Sequence, residues 1–327
     1  MSVDHPRGAV GGGRARVTDD HRQPDPSTLD SLATEAARPE LAELDEWSTS
    51  DALAVFFDDQ VSVVEALRAA HDQVVAALDL IADRLCSGGR LIYVGAGTGG
   101  RLAALDAAEI APSYGVHGRI IAVFAGGVDA MVDGREFYED DEEQGVREVL
   151  AVCPGERDVV VGVSASGRTP YVLGGVRAAK SADARTIGFA CVPGSPLAST
   201  ADLAIEVDTG AEVIAGSTRL KAGSAQKTVL NAMSTMAMVR MGRTHGNLMV
   251  DLKADNAKLR RRALRAVAAA TGLDHDRAEA ALDLAGGEAK VAIVAQLAGV
   301  GVDAARDLLA RTDGRVRLAV ALAAERD

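Results

Sequence analysis

Two short segments of this 327-residue chain have residue types and spacing suited to holding an anion. The first is Gly95-Ala96-Gly97-Thr98-Gly99-Gly100-Arg101, between an apolar run and a helix-compatible stretch. Glycine backbone can approach an anion closely, and a helix N-terminus adds unpaired N–H groups and a favourable dipole. The segment satisfies G-x-G-x-x-G, but the pattern for a dinucleotide also needs an acid about 20 residues on, after the next strand. Here that strand ends near Ala125, Gly126-Gly127 follows, and Asp129 is the first acid after it, too far along. NAD and FAD are therefore not the expected ligands. The second segment is Ser164-Ala165-Ser166-Gly167-Arg168-Thr169-Pro170. Hydroxyls at alternate positions, a glycine, a threonine and a proline near the first helical position make a phosphate cradle. An ordinary N-cap needs only one of those hydroxyls. Neither segment has Gly-x-x-x-x-Gly-Lys, which argues against a nucleoside triphosphate. Together they point to a phosphorylated small molecule.

The surrounding sequence shows what must position these loops. Five short apolar runs, Arg90–Val94, Arg119–Phe124, Asp158–Val163, Thr186–Cys191 and Leu203–Val207, are rich in Val and Ile and bounded by Gly or Pro. Helix-compatible stretches separate them, the pattern of a parallel sheet covered on both faces. The expected fold class is α/β, a doubly wound five-stranded mainly parallel sheet with a small C-terminal helical domain. In such a sheet ligands bind beyond the carboxyl ends of the strands, where both loops fall. Ahead of the sheet, Ser48-x-x-Asp51 resembles a capping box opening a short helix. Apolar spacing from Ser62 to Leu85 predicts a long amphipathic helix with His71 on its apolar face, as a core histidine. Arg219 to Met241 reads as a long helix, apolar on more than one side and so buried in the core or in a subunit interface. Short helical segments follow at Asp274–Ala285, Glu288–Leu297, Val302–Leu309 and Arg315–Ala323. The expected division is a disordered tail over 1–30, an α/β domain over 31–254 and a helical domain over 255–327.

Composition narrows the function. The formal charge is −12, which argues against a nucleic-acid partner. No run approaches 18 apolar residues and the N-terminus lacks the apolar segment of a secretory signal, so neither a membrane span nor export is expected. Cys86, Cys153 and Cys191 are too widely spaced for a disulfide framework or a zinc knuckle; they are read as small buried hydrophobes in a reducing cytoplasm.

Several segments resemble the N-acetylmuramic acid 6-phosphate etherases: RLIYVGAGTGG at Arg90–Gly100, LDAAE at Leu105–Glu109, VVGVSASGRTPYV at Val160–Val172, GSTRLKAGSAQK at Gly216–Lys227, and GNLMVDL at Gly246–Leu252. Thr271–Asp283 fits the same family, and the resemblance runs from about Thr34 to the C-terminus. It implies a sugar isomerase-type α/β domain, usually as a homodimer, with a small C-terminal helical domain. It also implies cleavage of a D-lactyl ether in cell-wall sugar recycling, with no metal or redox cofactor. Two catalytic glutamates follow from it. Glu109 occupies the LDA-x-E position, as the acid at the lactyl oxygen. Glu139 heads the acidic stretch Glu139-Asp140-Asp141-Glu142-Glu143, as the base at C2, with Glu136 the alternative register. Without the family, that stretch reads as a solvated face. Ser164, Ser166 and Thr169 are assigned to the 6-phosphate, Gly97 and Thr98 to the pocket lining, and Lys221 either to the substrate or to an ion pair. One departure stands out: family members commonly read Gly-Thr-Ser-Gly where this chain has Gly97-Thr98-Gly99-Gly100. Two other readings remain open: a non-catalytic sugar-phosphate sensor, and an aldose–ketose isomerase.

Overall fold

The computed structural model describes residues 32–133, 136–251 and 256–325; the expected tail over 1–30 lies outside them. A parallel five-stranded sheet in the order β2-β1-β3-β4-β5 is built from β1 (Leu91–Gly95), β2 (Ile120–Phe124), β3 (Val159–Val163), β4 (Arg185–Ala190) and β5 (Leu203–Glu206). All residues of β1 and β3 are buried, which is why they read as unbroken apolar runs rather than alternating ones. The pleat sends Leu91, Tyr93, Val159, Val161 and Val163 to one face, and Ile92, Val94 and Val160 to the other.

The first face is covered by α1 (Thr49–Ala69), α2 (His71–Cys86), α3 (Gly97–Tyr114) and the long α8 (Lys221–Arg240). The second carries α5 (Glu142–Ala151), α6 (Pro170–Ser181) and α7 (Pro196–Thr200), while α4 (Gly127–Asp133) follows β2. At the end of β1 and β3 remote from the loops, Arg90 and Asp158 fasten the strands together. The Arg90 backbone N–H donates to Asp158 Oδ1 at 2.8 Å and its guanidinium to Oδ2 at 2.6 Å. A short hairpin of β6 (Thr244–His245) and β7 (Leu248–Met249) leads to α9 (Ala257–Thr271), α10 (His275–Leu284), α11 (Ala289–Ala298), α12 (Val302–Arg311) and α13 (Val316–Ala324). These helices enclose a core of their own, with Val267, Leu282, Ile293, Val294 and Leu308 at its centre.

Four details differ from expectation. The stretch from Ser48 to Leu85 is two long helices that meet at Ala70, not a short helix followed by one from Ser62. Ser48 does cap the first, its Oγ accepting the Asp51 N–H at 3.1 Å. The break at Ala70 rotates the buried face onto Ala77, Ile81 and Leu85, so His71 is exposed rather than a core residue. The helix Ala257–Thr271, capped by Asn256 and ended by the left-handed Gly272, was not anticipated. Cys86 and Cys153 are exposed and only Cys191 is buried.

Candidate active site

Strand order makes β1 the point where the chain reverses its direction of winding, so a crevice opens beyond the carboxyl ends of β1 and β3. Gly95 and Val163 are register partners across these strands. The two loops singled out from the sequence therefore leave the sheet side by side.

The second loop is organised by its own hydroxyls. Ser164, 5% exposed, has its Oγ 2.8 Å from Thr169 Oγ1, and the same oxygen accepts the Gly167 N–H at 3.0 Å. Ser166 Oγ accepts the Arg168 N–H at 3.2 Å. Three hydroxyls are thus gathered at the start of α6, which opens with Pro170.

The first loop has no such network. Ala96 precedes α3 with extended backbone and provides no side-chain cap, and no acidic residue stands in the first turn. Gly97 takes φ +52°, in the left-handed region that disfavours a Cβ. A Cβ there would also fall 2.5 Å from Glu139 Oε1. The Glu139 carboxylate therefore lies against the opening of α3. Thr98, half-buried, turns its methyl toward Gly223 of α8.

The acidic stretch explains how Glu139 reaches this place. It sits in a 3-10 turn spanning Glu136–Asp140, whose Tyr138 ring packs on Gly126. Three of the neighbouring acids are occupied elsewhere: Asp141 caps α5 through the Gln144 N–H, Glu142 pairs with Arg177, and Glu143 lies 3.6 Å from Arg147. The alternative Glu136 has a side chain outside the described residues.

Glu109 is not beside Glu139. It is exposed on α3, more than three turns beyond Gly97. At 1.5 Å per residue that is about 18 Å along the helix axis. One turn earlier, Asp106 (3% exposed) locks α3 in place by accepting hydrogen bonds from Tyr93 Oη at 2.9 Å, Asn231 Nδ2 at 2.6 Å and Ser234 Oγ at 2.9 Å. Burial raises its pKa, while those three donors pull it down. Lys221 is 4% exposed, with Nζ 3.2 Å from Asp59 Oδ1, which also takes Arg38 at 2.7 Å. Its ion pair is thus an internal one. Glu212 caps the helix that Lys221 opens, through the Lys221 and Ala222 N–H groups.

One residue at the crevice was not singled out from the sequence. Gln226 of α8 is 1% exposed, and a Cβ on Gly99 would stand 3.1 Å from its Nε2 and 3.2 Å from its Oε1. The signal was present: Gln226 is a polar residue on the buried face that Ala222, Val229, Leu230 and Met233 define.

Residues 73–180 match the model of the glucokinase regulatory protein N-terminal SIS domain, and residues 138–236 match that of the SIS domain. The chain is 54% identical over 293 residues to an N-acetylmuramic acid 6-phosphate etherase of Rubrobacter xylanophilus, covering 89% of this chain and 97% of that one. It is 48% identical over 298 residues to the etherase of the same name from Streptomyces coelicolor, covering 91% and 96%. The chain belongs to the N-acetylmuramic acid 6-phosphate etherase family. Among solved structures, a phosphoheptose isomerase from Francisella tularensis aligns with a TM-score of 0.47 and 15% identity, over 59% of this chain and all of that one. Among the described residues no helix is long and apolar enough to cross a membrane.

Proposed function

We propose that this chain cleaves the D-lactyl ether of N-acetylmuramic acid 6-phosphate, giving N-acetylglucosamine 6-phosphate and D-lactate, with Glu139 as the base and Glu109 as the acid. The observation that carries the reading is the Glu139 carboxylate against Gly97, beside a loop of three clustered hydroxyls. In the open-chain sugar, the C1 aldehyde acidifies the proton on C2. Ionised Glu139 takes that proton, and the electron pair forms the C2–C3 double bond as the C3–O bond to lactate breaks. The departing oxygen receives its proton from the protonated acid, Glu109. Water then adds at C3, giving one proton to Glu109, while Glu139 returns a proton to C2, so both groups regain their starting states. Each positioned acid or base contributes about 10²–10⁴-fold. Ser164, Ser166 and Thr169 hold the 6-phosphate, with Gly97 and Thr98 lining the pocket and Lys221 supporting it from the start of α8.

The separation along α3 has a consequence for assembly. Side chains spanning a few ångströms do not bridge about 18 Å, so the acid at each crevice comes from a second copy of the chain, in a homodimer. Surface chemistry supports this: Leu53, Phe57, Val61 and Val64 form an exposed apolar stripe on α1, and Leu105 is exposed one turn before Glu109. A phosphorylated substrate, which does not cross a membrane unaided, puts the reaction in the cytoplasm.

The test is incubation with N-acetylmuramic acid 6-phosphate in deuterated water. Wild type is expected to release lactate and place deuterium at C2. Glu109→Gln is expected to lose release but keep exchange, and Glu139→Gln to lose both. Tight binding of the sugar phosphate by wild type with neither release nor exchange would make the protein a sensor. Exchange with ketose formation and no lactate would make it an isomerase.

A further inference from the structure

The carboxamide of Gln226 is the site's unresolved polar group. Neither Nε2 nor Oε1 has a hydrogen-bond partner among the described residues, although both atoms are shut off from solvent. A buried amide left so is costly and calls for an explanation in function or in a bound molecule. Its position supplies one. It stands against Gly99, in the first turn of α3, close to where the Val163 side chain ends β3. That is the floor of the crevice between the two loops, and Gly99 offers it only hydrogen atoms where family members commonly have a serine hydroxyl.

We propose that Gln226 is a substrate-binding residue, whose carboxamide exchanges hydrogen bonds with a hydroxyl of the open-chain sugar held between the two loops. The inference rests on the etherase reading and adds to it the group that grips the sugar chain. The chemistry of the amide chooses the ligand group. It presents a donor and an acceptor on adjacent atoms, and a hydroxyl serves both. A phosphate dianion or a carboxylate only accepts, and so would leave Oε1 facing negative charge. The amide also moves at little cost. It surrenders no protein hydrogen bond when its side-chain torsions turn it from beneath Gly99 toward the ligand. The clustered hydroxyls of Ser164, Ser166 and Thr169 then take the phosphate, and Gln226 fixes the carbon chain relative to Glu139.

The test is Gln226→Leu, with Gln226→Met as a second variant should the branched side chain fail to fold. Removing both orphaned atoms while keeping the volume is expected to leave the melting temperature unchanged or raised. KM for N-acetylmuramic acid 6-phosphate is expected to rise about tenfold, the loss of one hydrogen bond, with kcat changed far less. Binding of N-acetylglucosamine 6-phosphate, measured by calorimetry, should weaken to the same degree. A variant with wild-type KM and wild-type product binding, or one whose only change is a lower melting temperature, overturns the proposal. If wild type itself releases no lactate, the etherase reading fails and this inference with it. Release by wild type with no KM change in either variant sinks the Gln226 role alone.

Discussion

The two loops at the carboxyl edge of the sheet leave neighbouring strands in register, yet they are built in opposite ways. The loop after β3 satisfies itself: Ser164, Ser166 and Thr169 are tied to one another or to backbone N–H groups. The loop after β1 is open, with no side-chain cap, a left-handed glycine seated under a carboxylate, and, beneath Gly99, an amide with no partner among the described residues. The difference teaches how one crevice divides its labour. A preorganised ring of hydroxyls suits a group that is held unchanged, such as a phosphate. A bare helix start, beside the Glu139 carboxylate and the buried amide of Gln226, suits the part of the substrate where bonds change.

The sharpest way to break this comparison is to give the open loop a side chain. Gly97→Ala puts a Cβ on a left-handed residue and within 2.5 Å of Glu139 Oε1. The strain costs about 1–2 kcal/mol, and the displaced carboxylate is expected to lower kcat by about 10²-fold or more, the scale of a mispositioned catalytic group. Steady-state lactate release checks it, and near-normal kcat would mean that Glu139 does not work from this position.

The closed loop should respond differently. Ser164→Ala removes the partner of Thr169 Oγ1, while the Gly167 N–H keeps its bond to the Ser164 carbonyl. Stability is expected to fall by about 1 kcal/mol, the scale of one lost hydrogen bond, with KM raised and kcat little altered. Thermal unfolding together with kinetics separates the two loops: the first acts on turnover, the second on stability and affinity.

The smallest effect is expected at the opposite end of the same strands. Burial pushes the Asp158 carboxyl up, but hydrogen bonds and charge from Arg90 outweigh it and hold its pKa below the usual value. A lowered folded pKa contributes stability above the unfolded value of about 3.9, and this is lost as pH falls through the folded value. Asp158→Asn is therefore expected to be less stable than wild type at pH 7, with the gap narrowing below about pH 4 and KM unmoved. A gap independent of pH would mean that the charge of Asp158 contributes nothing.

Much of this architecture was legible in the sequence for identifiable reasons. β1 and β3 are buried on both faces, so Arg90–Val94 and Asp158–Val163 stood out as apolar runs between glycines and polar turns. The hydroxyls of the second loop are local in sequence and so were readable as a cluster. The break at Ala70 was hidden because neither glycine nor proline marks it; packing decides it. Gln226 was hidden for a similar reason, since its lack of a partner arises only when α8 meets Gly99 and Val163. The offset of Glu109 from Gly97 along α3 was implicit in helix geometry, whereas the seat of Glu139 against Gly97 depends on how the turn at Glu136–Asp140 packs. Motif resemblance pairs the two residues without regard to that offset, because a motif records residue types in order and not their separation in space.

That distance yields the most direct test of the account. Glu109→Gln and Glu139→Gln protein, each inactive alone, are mixed under conditions that exchange subunits, and lactate release is measured. If each crevice combines Glu139 of one copy with Glu109 of the other, every mixed dimer regains one intact site. Random pairing in a twofold dimer then restores roughly a quarter of wild-type activity. A mixture that exchanges subunits yet stays inactive would place both carboxylates in one chain's site and contradict the account.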